Sequence, residues 1–245
     1  MSSNKIFEAV LKVATEHQRQ RPLHDHLDIG SGTGELIGLL RDRCGVASRA
    51  CDCTADMLKT PDIPLDLIDL NQEKKLGYAD ETFDLVTATE VIEHLEDYRN
   101  LVREIHRVLR PGGLCVLSTP NVLNINSRLR NLWFGFPVLF GPLPVGGRSL
   151  GSSAGHITPI SYFHLAHAML EAGYSSVRLG RDRFQRSAVL KMVALYAPIR
   201  LFGALARRRE VRRYKTIDPD NSGLVKDMNS AGMLLARSII VSGVK

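Results

Sequence analysis

The sequence predicts an α/β fold with a largely parallel sheet, and two observations carry this prediction. Strand-like apolar segments alternate with helix-like segments from residue 24 to residue 119, and a glycine-rich turn follows the first of these strands. Such alternation requires crossover connections, which are right-handed and bring the carboxyl ends of the strands to one edge of the sheet. We therefore expect ligands to bind along that edge.

The first strand and its turn lie within residues 27–36, which read LDIGSGTGEL. Gly30, Gly32 and Gly34 allow a tight turn and leave no side chain between the main chain and a ligand. The dinucleotide-binding fingerprint has its third glycine where this chain has Glu35. The spacing therefore indicates a nucleotide-binding turn but argues against a nicotinamide cofactor.

Each of the next three strands ends near an acidic residue. In ASRACDCTADML, Asp52 ends the second strand, where its carboxylate can accept both hydroxyl hydrogens of a ribose or cap a turn. In PLDLIDLN, Asp69 ends the third strand, and in FDLVTATEVIEHL, Glu90 follows the fourth. A helix, a Pro-Gly-Gly turn and a fifth strand follow in LVREIHRVLRPGGLCVLSTPN.

These motifs, with Asp28 before the glycines, resemble those of the class I S-adenosylmethionine (SAM) methyltransferases, type 11/23-like, over about residues 25–120. The chain is also similar to ubiquinone-pathway O-methyltransferases and to bacterial glycan-pathway and lipid-pathway methyltransferases. The resemblance implies a Rossmann-like seven-stranded sheet of order 3-2-1-4-5-7-6, with the last strand antiparallel and helices on both faces. It implies SAM as the cofactor, with Asp69 at the adenine amino group. The implied cofactor residues are Asp28, Gly30, Ser31, Gly32, Gly34, Asp52, Cys53, Asp69, Leu70 and Thr89.

The pattern predicts a single domain over residues 1–245 with an N-terminal helix at 1–22, which we interpret as neither a signal peptide nor a membrane span. The segments YSSVRLGR and RSIIVSG supply the last two strands. Two insertions interrupt this core: residues 121–157, rich in Gly, Pro and Phe, are expected to form a lid over the acceptor, and residues 185–228 an apolar and basic helical insertion.

Three residues after the fourth strand are candidates for catalysis. Glu90, Glu93 and His94 stand at i, i+3 and i+4, so a helix there would place them on one face at the cofactor edge. His94 is the candidate general base, because its ordinary pKa lies near neutrality. Glu90 and His156, at the end of the lid, complete the predicted catalytic set.

The same residues also fit a metal site. The E-x-x-E-H run of Glu90, Glu93 and His94, with His156 further along, resembles the ion-binding arrangement of the small-RNA 3′-terminal 2′-O-methyltransferases. The run recurs in the ubiquinone-pathway O-methyltransferases. Two carboxylates and two imidazoles suit zinc, manganese or cobalt better than magnesium, and such an ion would lower the pKa of the acceptor hydroxyls.

A purely structural role for these side chains is the alternative. Glu93 would then pair with an arginine such as Arg99 or Arg103, because a buried carboxylate needs a partner. His94 would cap the pocket, and His156 would be an ordinary loop residue. The sequence leaves this alternative open beside the metal site.

Charge is unevenly distributed along the chain. The first 120 residues carry a net charge of −6 and the remainder +12, and no acidic residue lies between Glu104 and Glu171. Such a field favours an anionic acceptor or an anionic surface such as phospholipid or RNA, although a solvated basic face is the simpler alternative.

The apolar part of residues 187–215 is interrupted by Lys191, Pro198 and Arg200, so the run of about 20 uncharged residues typical of a membrane span is missing. The apolar run followed by cations predicts an interfacial anchor on anionic headgroups; a helical hairpin on the core or a dimer contact is the alternative. The cations are Arg207, Arg208, Arg209, Arg212, Arg213 and Lys215.

The four cysteines lack the paired spacing of a metal site; they are Cys44, Cys51, Cys53 and Cys115. This indicates reduced thiols and therefore a cytoplasmic protein. If the anchor forms, we expect the protein to be peripheral at the inner membrane face. The sequence therefore predicts a SAM-dependent transferase that O-methylates a membrane-associated or lipid-linked small molecule or glycan. The alternatives are an RNA 2′-O-methyltransferase with a divalent metal and a non-catalytic SAM-binding protein.

Overall fold

A seven-stranded sheet forms the centre of the computed structural model, which describes residues 4–60, 62–143 and 155–245. The strands are β1 Asp25–Ile29, β2 Ala47–Asp52, β3 Leu65–Leu67, β4 Phe83–Thr89, β5 Leu109–Pro120, β6 Ser175–Arg181 and β7 Ser238–Val244. The helices are α1 Asn4–Gln18, α2 Glu35–Cys44, α3 Tyr98–Val108, α4 Ile125–Phe134, α5 Tyr162–Glu171, α6 Arg186–Arg209, α7 Ser222–Asp227 and α8 Ala231–Leu235.

The strand order is β3-β2-β1-β4-β5-β7-β6, which confirms the predicted order. The first five strands pair in parallel, whereas β7 runs antiparallel to both β5 and β6. Ile29 at the end of β1 aligns with Cys51 on one side and Ala88 on the other. The residues that follow these three strand ends therefore meet at one edge of the sheet.

All seven residues of β4 are buried, which shows that both faces of the central sheet are covered. The apolar residues of β4 are therefore buried together with its polar ones, which are Asp84, Thr87 and Thr89. Helix α3 shows how one face is covered: Leu101, Val102, Ile105 and Val108 recur at helical spacing and are buried against the sheet. The Asp97 side chain caps this helix by accepting a hydrogen bond from the Asn100 N–H.

The two predicted insertions flank the cofactor edge. Within residues 121–157 the described part contains α4 and a turn, whereas residues 144–154 of the predicted lid lie outside the described residues, as do residues 1–3 of the predicted N-terminal helix. Residues 185–228 contain α6 and α7.

Helix α6 continues past Arg209 as a π-helical turn, Glu210–Tyr214, and together they form 29 helical residues. Lys191, Pro198 and Arg200 do not break this helix, and by length and composition alone it can cross a membrane. Only 6% of its most apolar stretch is buried. The run of about 20 uncharged residues is absent as predicted, because Lys191 and Arg200 lie within this helix.

Candidate active site

A cavity of about 780 Å³ opens at the carboxyl edge of the parallel strands. Nine of the ten residues predicted to hold the cofactor line it; the exception is Asp69, whose neighbours Ile68 and Leu70 do so. The Asp69 carboxylate instead accepts a hydrogen bond from the Asn71 N–H at 3.0 Å, within its own turn.

The glycine turn is held in a shape that side chains would disturb. Gly30, Gly32 and Gly34 all have positive φ angles, of 68°, 51° and 77°. A Cβ at Gly30 would lie 2.3 Å from Val91 Cγ2, so this position is closed, whereas a Cβ at Gly32 would meet nothing within 4 Å. Gly32 therefore turns the main chain towards open space in the cavity.

Asp52 is oriented by main-chain donors. Its Oδ2 accepts a hydrogen bond from the Gly32 N–H at 2.9 Å, and its Oδ1 accepts one from the Cys53 N–H at 2.7 Å. These bonds join the end of β2 to the glycine turn. The carboxylate lines the cavity in a fixed orientation, where its remaining lone pairs can accept hydroxyl hydrogens.

Beneath the turn, a buried chain of hydrogen bonds crosses three strands. Thr87 Oγ1 donates to Asp28 Oδ1 at 2.6 Å, and His26 Nε2 lies 2.8 Å from Thr87 Oγ1. His26 Nδ1 lies 2.9 Å from Ser48 Oγ. Burial raises the pKa of Asp28 to about 7 and lowers the pKa of His26 to about 3, so the imidazole is neutral.

The predicted helix beginning at Glu90 does not form. Glu90 has a left-handed conformation, with φ 56°, and only a 3-10 turn, Ile92–His94, follows it. The Glu90 side chain accepts a hydrogen bond from Ser118 Oγ at 3.3 Å. The chain turns at Glu90, so the Glu90 carboxylate does not share a helix face with Glu93 and His94.

Glu93, His94 and His156 nevertheless come together. One potential ligand atom from each lies within 4.8 Å of the others, and the two imidazole rings are 4.9 Å apart. Glu90 is not part of this group, so the predicted four-residue metal set is wrong in that member. His94 Nδ1 lies 2.9 Å from the Gly155 carbonyl oxygen, to which it donates, leaving Nε2 with a lone pair.

Glu93 is fully buried, and neither of its carboxylate oxygens has a hydrogen-bond partner among the residues that the structure describes. The predicted pairing with Arg99 is wrong, because Arg99 pairs with Glu171 at 2.8 Å, and Arg103 forms no ion pair in the described residues. His156 Nδ1 is also buried without a partner in the described part of the chain.

Burial is also the main influence on the pKa values of these groups. Burial raises the pKa of Glu90 despite the hydrogen bond from Ser118, and burial with the charge of Glu90 raises the pKa of Glu93. Burial lowers the pKa values of His94 and His156. A buried carboxyl with two unpartnered oxygens beside two neutral imidazoles is a donor set that fits a divalent transition metal.

Arg237 and Leu139 are among the cavity residues that had no place in the sequence prediction. Arg237 directly precedes β7, and Leu139 lies in the turn after α4. Because β7 runs antiparallel, its first residue lies at the carboxyl edge of the parallel strands. The predicted direction of the last strand could therefore have located Arg237, whereas no local pattern marks Leu139.

Several known proteins resemble the chain. It is 31% identical over 125 residues to a ubiquinone/menaquinone biosynthesis C-methyltransferase of Desulfotalea psychrophila, a match over 46% of this chain and 50% of that protein. It is 34% identical over 109 residues to a ubiquinone biosynthesis O-methyltransferase of Parvibaculum lavamentivorans, over 41% of this chain and 43% of the relative. The chain thus spans about half the length of the curated relatives it matches.

Solved structures share the fold. A SAM-dependent methyltransferase from Archaeoglobus fulgidus superposes with a TM-score of 0.57 at 14% identity, over 98% of this chain and 97% of the other. A family model described as a methyltransferase domain matches residues 3–179. That match covers most of the chain and confirms the predicted resemblance, including SAM as the family's cofactor: the chain belongs to the methyltransferase-domain family.

Proposed function

We propose that the chain is a SAM-dependent methyltransferase that methylates an oxygen atom of a membrane-associated or lipid-linked acceptor, either a small molecule or a glycan. The observation that carries this proposal is one cavity lined by the glycine turn and Asp52 together with His94 and His156. The names of the relatives, which refer to ubiquinone and menaquinone biosynthesis, support an acceptor of this kind.

In the proposed reaction the glycine turn and Asp52 hold SAM, whose sulfonium makes the methyl group electrophilic. The acceptor hydroxyl oxygen attacks in line, so that the O–CH3 bond forms while the S–CH3 bond breaks and S-adenosylhomocysteine leaves uncharged. His94 Nε2 carries a lone pair, because Nδ1 is engaged by the Gly155 carbonyl, and accepts the hydroxyl proton.

Glu93, His94 and His156 would hold a divalent ion if one binds. Such an ion would supply Lewis-acid stabilisation of the ionised acceptor hydroxyl. His94 would then be a ligand rather than the base, and Glu90, which lines the cavity, is the remaining carboxylate for the proton. If His94 is a metal ligand, activity should follow the metal content of the protein. If His94 is the base, activity should not depend on metal.

The test is transfer of labelled methyl from SAM into a cell extract that is then separated into lipid, RNA, protein and small-molecule fractions. Gly32→Trp is the negative control, because its side chain would enter the cavity. Gly45→Trp is the matched control: Gly45 also has a positive φ and open space around it, but it ends α2 outside the cavity.

Label in the lipid fraction that depends on Gly32 and not on Gly45 is the expected result. Label confined to RNA would replace the acceptor with a ribose hydroxyl. SAM binding without label in any fraction would reject an enzymatic role and favour the non-catalytic SAM-binding alternative.

A further inference from the structure

One side of α6 packs on the rest of the protein. Its inward residues are spaced by three or four positions and therefore share a face. They contact side chains from α4 and α8 in a small apolar cluster. The cluster consists of Ala188, Met192, Leu195 and Ile199 from α6 with Ile125, Leu129 and Leu235. This half of the helix is therefore fixed to the domain.

The opposite side of α6 is apolar but uncovered. Leu190, Val193, Leu201 and Leu205 continue with helical spacing on the outward face, and 79%, 66%, 59% and 50% of their surfaces are exposed. Phe202, three residues after Ile199, continues the inward stripe beyond the cluster and is 65% exposed. Soluble proteins rarely leave apolar rows of this length open unless something binds them.

The end of α4 extends this apolar surface. Leu132, Trp133 and Phe134 are 81%, 68% and 53% exposed, and α4 is joined to α6 by the shared cluster and by Lys191 Nζ, 2.7 Å from Asn126 Oδ1. We call eight of the exposed apolar residues on the two helices the docking surface. They are Leu132, Trp133, Phe134, Leu190, Val193, Leu201, Phe202 and Leu205.

The docking surface lies next to the cavity mouth. Arg130 of α4 donates hydrogen bonds to the carbonyl oxygens of Phe136 and Phe140, at 3.1 and 2.8 Å, and so ties the following turn to the helix. That turn carries Leu139, which is 45% exposed and also lines the cavity. Leu139 is therefore an apolar residue shared by the exposed surface beside α4 and the cavity wall.

Cations follow the docking surface along the chain. Arg207, Arg208 and Arg209 end α6, and three further cations follow by residue 215. None of these six forms an ion pair within the described ranges, and Glu210 is the one acidic residue among them. An apolar helix face with adjacent arginines matches the chemistry of an anionic membrane interface, with acyl chains beside charged headgroups.

We propose that the docking surface binds the surface of an anionic membrane, with α6 lying in the plane of the headgroups. The inward face of α6 argues against a span, because insertion would expose the cluster that fixes this helix to the domain. Lys191 and Arg200 can extend to the headgroups from an in-plane helix. Delivery of the acceptor from this membrane to the cavity rests on the proposed function, whereas membrane binding itself does not.

Co-sedimentation of the full chain with phosphatidylcholine vesicles, with and without phosphatidylglycerol, tests the proposal. We expect Leu201→Glu/Phe202→Glu to reduce partitioning at least about tenfold, because the variant places two charges at exposed apolar positions of the docking surface. Leu67→Glu is the matched control: Leu67 is 61% exposed on β3, outside the docking surface, and this variant should bind like the wild type.

Arg207→Gln/Arg208→Gln/Arg209→Gln should weaken binding to the anionic vesicles by roughly fivefold per arginine, and added salt should have the same effect on the wild type. Equal binding to neutral and anionic vesicles, or no binding to either, would overturn the proposal. So would a lipid-free dimer that Leu201→Glu/Phe202→Glu dissociates, because the occupant would then be a second copy of the chain.

RNA binding lost in the arginine variants, with vesicle binding unchanged, would also overturn it. SAM binding by the same proteins separates this proposal from the proposed function. Retained SAM affinity with lost vesicle binding supports the membrane surface, whereas vesicle binding by a protein that never binds SAM would reject only the enzymatic role.

Discussion

The two ends of the cavity are built in different ways. The cofactor end comes from neighbouring strand ends, and its shape depends on main-chain conformation: three glycines with positive φ and a carboxylate held by main-chain N–H groups. The other end combines side chains distant in sequence, including His94, His156 and Arg237, with Glu93 buried beside the two histidines. The fold therefore supplies the cofactor end locally, whereas the acceptor end exists only after the whole sheet has formed.

The largest effect should come from Gly30→Val at the cofactor end. Its Cβ would overlap Val91, and its φ of 68° is unfavourable for a branched side chain, so we expect SAM affinity to fall more than about 100-fold and stability by roughly 1–3 kcal/mol. Gly45→Val, at φ 67° but with open space, should share only the backbone strain. Calorimetric titration with SAM checks both, and near-normal affinity in Gly30→Val would contradict the assignment of this turn.

Glu93→Gln should separate the two ends. The amide keeps the shape of the buried carboxyl but cannot ionise to a carboxylate ligand, so we expect methyl transfer and bound divalent metal to fall about 100-fold while SAM affinity stays within about twofold. Glu96→Gln, on the exposed surface three residues later, is the control. Unchanged activity and metal content in Glu93→Gln would leave Glu93 without a role in either function.

A smaller, pH-dependent effect should come from His26, which supports the cofactor end. Its folded-state pKa of about 3 lies below the ordinary 6.5, so its stabilising contribution is complete above pH 6.5 and is lost as the pH falls towards 3. The loss should reach about 2 kcal/mol by pH 5. The raised pKa of Asp28 changes stability with pH in the opposite direction, but Asp28 is present both in the wild type and in a variant that lacks His26.

Urea unfolding of the wild type and His26→Gln at pH 7.5 and 5 measures this contribution. The wild type should lose more stability between the two conditions, because glutamine has no proton to gain. Equal losses in the two proteins would mean that the pKa of His26 does not differ between the folded and unfolded states.

The same difference between the two ends explains what the sequence could predict. Gly30, Gly32 and Asp52 follow strands in short connections, so their positions depend on local sequence. Glu90 adopts positive φ without being glycine, which no spacing rule indicates, and the expected helix failed for that reason. Asp69 lies two residues beyond the end of β3 rather than at it, and its carboxylate is used within its own turn. Arg237 and His156 reach the cavity through tertiary packing.

The position of β7 has a consequence for the order in which the protein is made. Among the residues that the structure describes, β6 pairs with no strand other than β7, and β5 needs β7 on one side, yet β7 is synthesised after both. On the ribosome, β5 and β6 therefore present open edges, which are sites of mispairing, until the last strand inserts between them. The cofactor end can form on the nascent chain, but the cavity gains Arg237 only with the arrival of β7.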